Sequence, residues 1–192
     1  MRTIEMRFDE LVTLLPKFKL HAEKAIEEAA LLVSNAFKKG NKILICGNGG
    51  SAADSQHFAA EFVNAFSKEI KRKALPAIAL STDTSIITAI ANDFTFDNVF
   101  SRQVEAYATP GDVLVVFTTS GSSINCINAV ASAKVLGVTS IAFTQESAEI
   151  SNLVDLCIEV PSVNTQHIQE CHMLAYHVIT ELVENNLFGD SK

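Results

Sequence analysis

The chain contains no tryptophan and only two tyrosines, so twelve phenylalanines supply nearly all of its aromatic material. It is also poor in charge. Only 19% of its 192 residues are charged, and 15 Lys and Arg face 22 Asp and Glu, a net charge of −7. That balance argues against broad capture of a phosphate backbone, so no nucleic acid is expected as a partner. A small anion held locally by amides and hydroxyls remains compatible with it. Long apolar runs are missing: stretches such as Ala74 to Leu80 and Val113 to Phe117 are far too short to span a membrane. The opening residues, MRTIEMRFDE, lack the apolar core of a signal peptide, so export is not expected. The four cysteines (Cys46, Cys126, Cys157 and Cys171) form no CxxC and no regular spacing. They read as reduced, mostly buried thiols of a cytoplasmic protein, Cys171 included despite the histidines near it. Eight glycines and four prolines do not make a low-complexity chain, and a hydrophobic fraction of 48% is ample for one core.

Short apolar runs alternate with helical patterns. Lys42 to Cys46, Pro76 to Leu80, Asp112 to Phe117, Thr139 to Phe143 and Asp155 to Val160 are apolar at nearly every position. Such runs fit strands of a parallel sheet covered on both faces. Between them, Ser51 to Phe66, Asp97 to Tyr107 and Ser123 to Leu136 read as helices. The alternation predicts a doubly wound α/β fold with a five-stranded parallel sheet flanked by helices. A helix over Leu20 to Lys39, stopping at Gly40, precedes the sheet, and residues 1–16 are expected to form a helix of their own. Together they make an N-terminal helical arm, about residues 1–39, of a single domain spanning residues 1–192. Gln166 to Leu187 carries a broad apolar stripe suited to the sheet or to a partner's helix.

Two loops follow strands and precede helices. Gly47, Asn48, Gly49, Gly50 and Ser51 allow close approach of a ligand to the backbone, and the helix N-terminus beyond them favours an anion. Ser51 with Asp54 three residues on resembles a capping box, placing the helix start at Ser51. The segment is neither GxGxxG nor a P-loop, so a nucleotide is not indicated. Thr118, Thr119, Ser120, Ser122 and Ser123 set five hydroxyls around Gly121, a dense group of donors for phosphate oxygens. With a strand order of 2-1-3-4-5, both loops would meet at the topological switch point. His57 and Glu61, four apart, share a helix face. Gln169 and His177 share a broad face of the last helix but are separated by about 12 Å of rise. His167 and His172 are read as packing or surface residues.

Taken together, CGNGGSAADSQHFAAEF, LPAIALSTD, AIANDFTFDNVFSRQVEA, PGDVLVVFTTSGSS and HIQECHMLAYHVI resemble the sedoheptulose 7-phosphate isomerases, or phosphoheptose isomerases, of the sugar isomerase (SIS) domain family. The resemblance runs from about residue 20 to 187. It implies a homotetramer with active sites between subunits. The implied reaction is an aldose–ketose isomerisation of sedoheptulose 7-phosphate to D-glycero-D-manno-heptose 7-phosphate through an enediol. That reaction opens ADP- or GDP-heptose synthesis, which feeds glycans such as lipopolysaccharide. By position, the resemblance implies His57, Glu61, Gln169 and His177 as ligands of one zinc ion per subunit, with Glu61 and His177 as the acid–base pair. It implies substrate contacts from Asn48, Gly49, Gly50, Ser51, Glu61, Asn92, Asp93, Thr118, Thr119, Ser120, Ser123 and Gln169.

The chain also departs from the family pattern. Ala65 and His167 stand where many members have Arg, Gln166 stands where some have Asp, and Thr144 to Ser147 replaces a glycine-rich stretch. The resemblance leaves two alternatives. One is a non-catalytic paralogue that binds the replication initiator DnaA and lacks the counterparts of Glu61 and His177. The other is an isomerase acting on a different sugar phosphate.

Overall fold

The computed structural model describes residues 4–189. A first helix, α1 (Ile4–Lys38), leads into β1 (Ile43–Gly47), α2 (Gly50–Val63), β2 (Ala77–Ala79), α3 (Thr84–Asp93), α4 (Ser101–Tyr107), β3 (Val113–Phe117), α5 (Ile124–Val135), β4 (Thr139–Gln145), β5 (Leu156–Val160) and α6 (Thr165–Phe188). The strands form one parallel sheet in the order β2-β1-β3-β4-β5, the doubly wound arrangement expected from the alternating pattern. Among the described residues no helix is long and apolar enough to cross a membrane.

Each strand sends alternate side chains to opposite faces, and each face has its own helices. On one face Ile43, Ile45, Val113, Val115 and Phe117 pack with α1, α2 and α6. On the other, Leu44, Cys46, Leu114, Val116 and Ala142 pack with α4 and α5. Every residue of β1 and β3 is buried, which is why the central strands read as unbroken apolar runs. At the edge, β2 keeps Ile78 partly exposed.

Two expectations change. The N-terminal arm is one continuous helix through Pro16, not a separate helix over residues 1–16 followed by another; residues 1–3 lie outside the described part. A proline inside a helix removes one backbone bond and costs about 3 kcal/mol. Here Leu14, Phe18 and Ala22, on the same helix face, are buried in the core shared with α6, so packing keeps the helix continuous through the defect. The second change is α3, a helix the apolar pattern did not indicate. It is short and buries no residue fully, with Ile87, Ile90 and Ala91 packed at the margin of the core; its start is marked by Asp83, whose carboxylate accepts from the Ile86 amide at 2.9 Å.

Three cysteines (Cys46, Cys126 and Cys171) are buried and Cys157 is half-buried, all as free thiols.

Candidate active site

The parallel register pairs Gly47 with Phe117, so the loops that follow β1 and β3 leave the same sheet edge side by side. This is the switch point, where neighbouring strands send their connections to opposite faces. In the first loop Gly47 has no room for a side chain: a β-carbon would stand 2.7 Å from the Ser51 carbonyl oxygen and 2.9 Å from that of Phe117. Gly49 turns the chain with φ 57° and caps α2 through its backbone. The Ser51 amide donates to the Asn48 carbonyl at 3.0 Å, and the Ala52 amide to that of Gly49 at 3.1 Å. The helix therefore starts at Gly50, and the expected capping box is not formed. The left-handed glycine closes the first turn by itself, leaving Ser51 and Asp54 to be buried within the helix. Asn48 exchanges two 2.9 Å side-chain hydrogen bonds with Asn125 of α5, which fixes the loop against the neighbouring connection.

In the second loop the Gly121 amide donates to Thr118 Oγ1 at 3.2 Å, and Ser120 and Ser122 share a hydrogen bond of 3.1 Å. Thr118 is buried, Thr119 and Ser123 are half-buried, and Ser120 is exposed, so the hydroxyls form a graded rim at the start of α5.

Helices α2 and α6 bring the titratable groups together. His57 Nε2 and Glu61 Oε1 are 2.9 Å apart. His57, Glu61 and His177 each offer a ligand atom, and these atoms all lie within 4.8 Å of one another. Burial, and then the neighbouring His57, hold the His177 imidazole below its usual range, favouring the neutral ring that a metal requires. Two imidazoles and a carboxylate at this spacing match the donor set of a catalytic zinc site, so the residues present fit the metal that the resemblance implies.

Gln169 sits elsewhere on the same helix pair. Its amide covers Gly50, where a β-carbon would stand 2.6 Å from Nε2. The contact of Gln169 with Gly50 and the approach of His177 to His57 follow the same direction along both helices. Thus α2 and α6 run side by side, with the glycine loop at one end and the trio about 10 Å further along. Asn92 and Asp93 end α3, exposed, and bond to each other at 2.8 Å. Among the described residues no hydrogen bond links them to either loop.

Several further residues shape this site; the sequence pattern does not single out Tyr176 and Arg72, and it places Asp54 in a cap and His167 and His172 among packing or surface residues. Tyr176 is buried, and its hydroxyl lies 2.9 Å from His57 Nδ1. Asp54 is buried, its Oδ2 has no hydrogen-bond partner, and burial pushes its carboxyl up to about 6 against the pull of His57. Arg72 donates to the carbonyls of Glu61 at 2.6 Å and Phe62 at 2.8 Å, closing the C-terminal end of α2 just beyond the trio. It is held by Glu184 of α6 at 2.6 Å, with both side chains buried. His167 is buried between Glu10 of α1 (3.0 Å) and Glu170 (2.7 Å), which raise its pKa. His172 is buried in the core beside Phe117 and Phe143. Polar residues on otherwise apolar helix faces (Tyr176, Asn125, Asp54) were the available signal.

A doubly wound parallel sheet with two loops side by side at its switch point is an α/β architecture that takes small ligands at that edge, and the chain belongs to the SIS domain family, whose profile matches residues 8–145. Its relatives within that family are phosphoheptose isomerases. The protein of that name from Aquifex aeolicus is 50% identical over 167 residues, 86% of each chain. Among solved structures, phosphoheptose isomerase GmhA from Neisseria gonorrhoeae superposes with a TM-score of 0.89 at 39% identity, covering 95% of this chain and 97% of that one. A phosphoheptose isomerase from Francisella tularensis gives 0.91 at 35% identity, covering 95% and 96%.

Proposed function

We propose that this protein is a sugar-phosphate aldose–ketose isomerase that converts sedoheptulose 7-phosphate to D-glycero-D-manno-heptose 7-phosphate. The observation that carries the reading is the meeting of His57, Glu61 and His177 beside two anion-suited loops, in a chain whose relatives are phosphoheptose isomerases. The DnaA-binding alternative is not favoured, since the relatives carry the isomerase name and Glu61 and His177 stand together.

In this reading the hydroxyls of Thr118, Thr119, Ser120 and Ser123, with the glycine-loop amides at the start of α2, hold the phosphate. Neutral donors reconcile anion binding with a net charge of −7 and allow release after turnover. Gln169, seated on Gly50, is placed to orient the sugar hydroxyls. Of Glu61 and His177, one removes a proton from C1 of the ketose, forming the enediol. A proton is then returned to C2, while a second transfer moves the hydroxyl proton from O1 to O2. His57, Glu61 and His177 would hold one zinc ion, which would supply polarisation of the carbonyl oxygen and stabilisation of the enediolate; Gln169, about 10 Å away along the helix pair, serves the substrate and not this ion.

A homotetramer belongs to the same reading. What supports it is the apolar groove between α1 and α6, lined by Val12, Leu15, Ile26, Leu174, Val178 and Leu182. Within it Val12 is 66% exposed and Leu174 46%, and a second copy would cover them. Asn92 and Asp93, exposed and without a hydrogen bond to either loop among the described residues, would then serve a site shared between subunits. Incubating the purified protein with sedoheptulose 7-phosphate must yield an aldoheptose 7-phosphate; absence of product overturns the reading.

A further inference from the structure

We propose that Tyr176 is a positioning residue for the metal centre: its buried hydroxyl, bonded to His57 Nδ1, holds the imidazole with Nε2 turned toward Glu61 and His177. The inference rests on the reading of His57, Glu61 and His177 as a cation site.

Without a partner, His57 would be poorly fixed, since its side chain is 42% exposed. Tyr176 is fully buried and braced by Phe58 and Phe117, with ring centroids 5.3 and 5.8 Å away, so its hydroxyl cannot follow a moving imidazole. The Oη–Nδ1 separation of 2.9 Å, together with 2.9 Å from Nε2 to Glu61, engages both ring nitrogens at once.

A phenol suits this position because it both donates and accepts. With Nε2–H donating to the Glu61 carboxylate, Nδ1 accepts from the tyrosine hydroxyl. With a cation on Nε2, the ring proton must sit on Nδ1 and donate to the tyrosine oxygen, which frees the hydroxyl proton for another acceptor. Asp54, one turn before His57 on the same face of α2, carries a buried Oδ2 with no hydrogen-bond partner, an acceptor left open for that proton. The pair thus serves His57 before and after a metal binds. Groups that orient a ligating imidazole typically contribute 10–100-fold to metal affinity.

The test compares the zinc dissociation constants of the native protein and Tyr176→Phe by competition with a chromophoric chelator. The variant keeps the ring and loses only the hydroxyl. The expected result is one zinc per subunit in the native protein and about 10–100-fold weaker binding in the variant, with metal-free melting temperatures within a few degrees. Equal affinities overturn the positioning role while leaving the cation site standing. No stoichiometric zinc in the native protein overturns the site and the proposal with it. Should the variant not fold, nitrogen-15 spectra of the native protein decide. Zinc-loaded His57 must be the Nδ1–H tautomer, and a zinc-loaded Nε2–H tautomer overturns the proposal.

Discussion

The side-chain amide of Gln169 lies directly over Gly50, so that a β-carbon at position 50 would stand 2.6 Å from its Nε2. The neighbouring Gly47 is crowded by backbone instead, the Ser51 and Phe117 carbonyls. The two glycines therefore separate binding from folding. Gly50→Ala is expected to push aside a movable side-chain tip, changing stability by less than about 1 kcal/mol while raising KM for the sugar phosphate. Gly47→Ala is expected to cost about 1–3 kcal/mol, because atoms of a packed strand and helix must shift. Chemical denaturation together with steady-state kinetics on both variants distinguishes the two effects.

The buried pair Arg72–Glu184 ties the C-terminal end of α2 to α6, and Glu184 also accepts from the amides of Phe66 and Ser67 at 3.0 and 3.1 Å. Arg72→Met leaves a buried carboxylate without its cation and is expected to destabilise by about 3–5 kcal/mol. Replacing both residues with methionine is expected to lose less than the two single changes added together. A double-mutant cycle from urea melts measures the difference.

Burial holds the His172 imidazole down to about 3, offset only in part by the nearby Thr144 backbone, and neither ring nitrogen has a hydrogen-bond partner. The unfolded chain takes up this proton near 6.5, and the folded chain takes it up only near 3. The resulting stability is complete above pH 6.5 and falls as the pH drops toward 3, by about 1.4 kcal/mol per pH unit within that window. Asp54 works in the opposite sense: raised to about 6, its contribution is present below the ordinary aspartate value near 3.8 and is lost as the pH rises through 6. His172→Leu isolates the histidine. Its stability difference between pH 7 and pH 4.5 should be smaller than that of the native protein, and an unchanged difference would contradict the assignment.

The five strands and their order were legible because β1, β3 and β4 are buried on both faces and leave nearly unbroken apolar runs. His57 and Glu61 were legible as a pair from helical spacing alone. The meeting of His57 with His177 depends on how α2 and α6 lie against each other, which no local pattern encodes. Gln169 at Gly50 and Tyr176 behind His57 depend on the same packing. The continuity of α1 was hidden by Pro16, whose local preference is overruled by long-range burial of Leu14 and Phe18. The start of α2 was misplaced by one residue because a left-handed Gly49 does what a serine cap was expected to do.

The central claim is that His57, Glu61 and His177 form the centre of a sedoheptulose 7-phosphate isomerase. The most direct measurement is the rate of sedoheptulose 7-phosphate isomerisation by the purified native protein beside Glu61→Gln and His177→Gln, each confirmed folded. Turnover by the native protein, with each variant slower by at least about 10²-fold, is the predicted result. Native turnover no faster than that of the variants would contradict it.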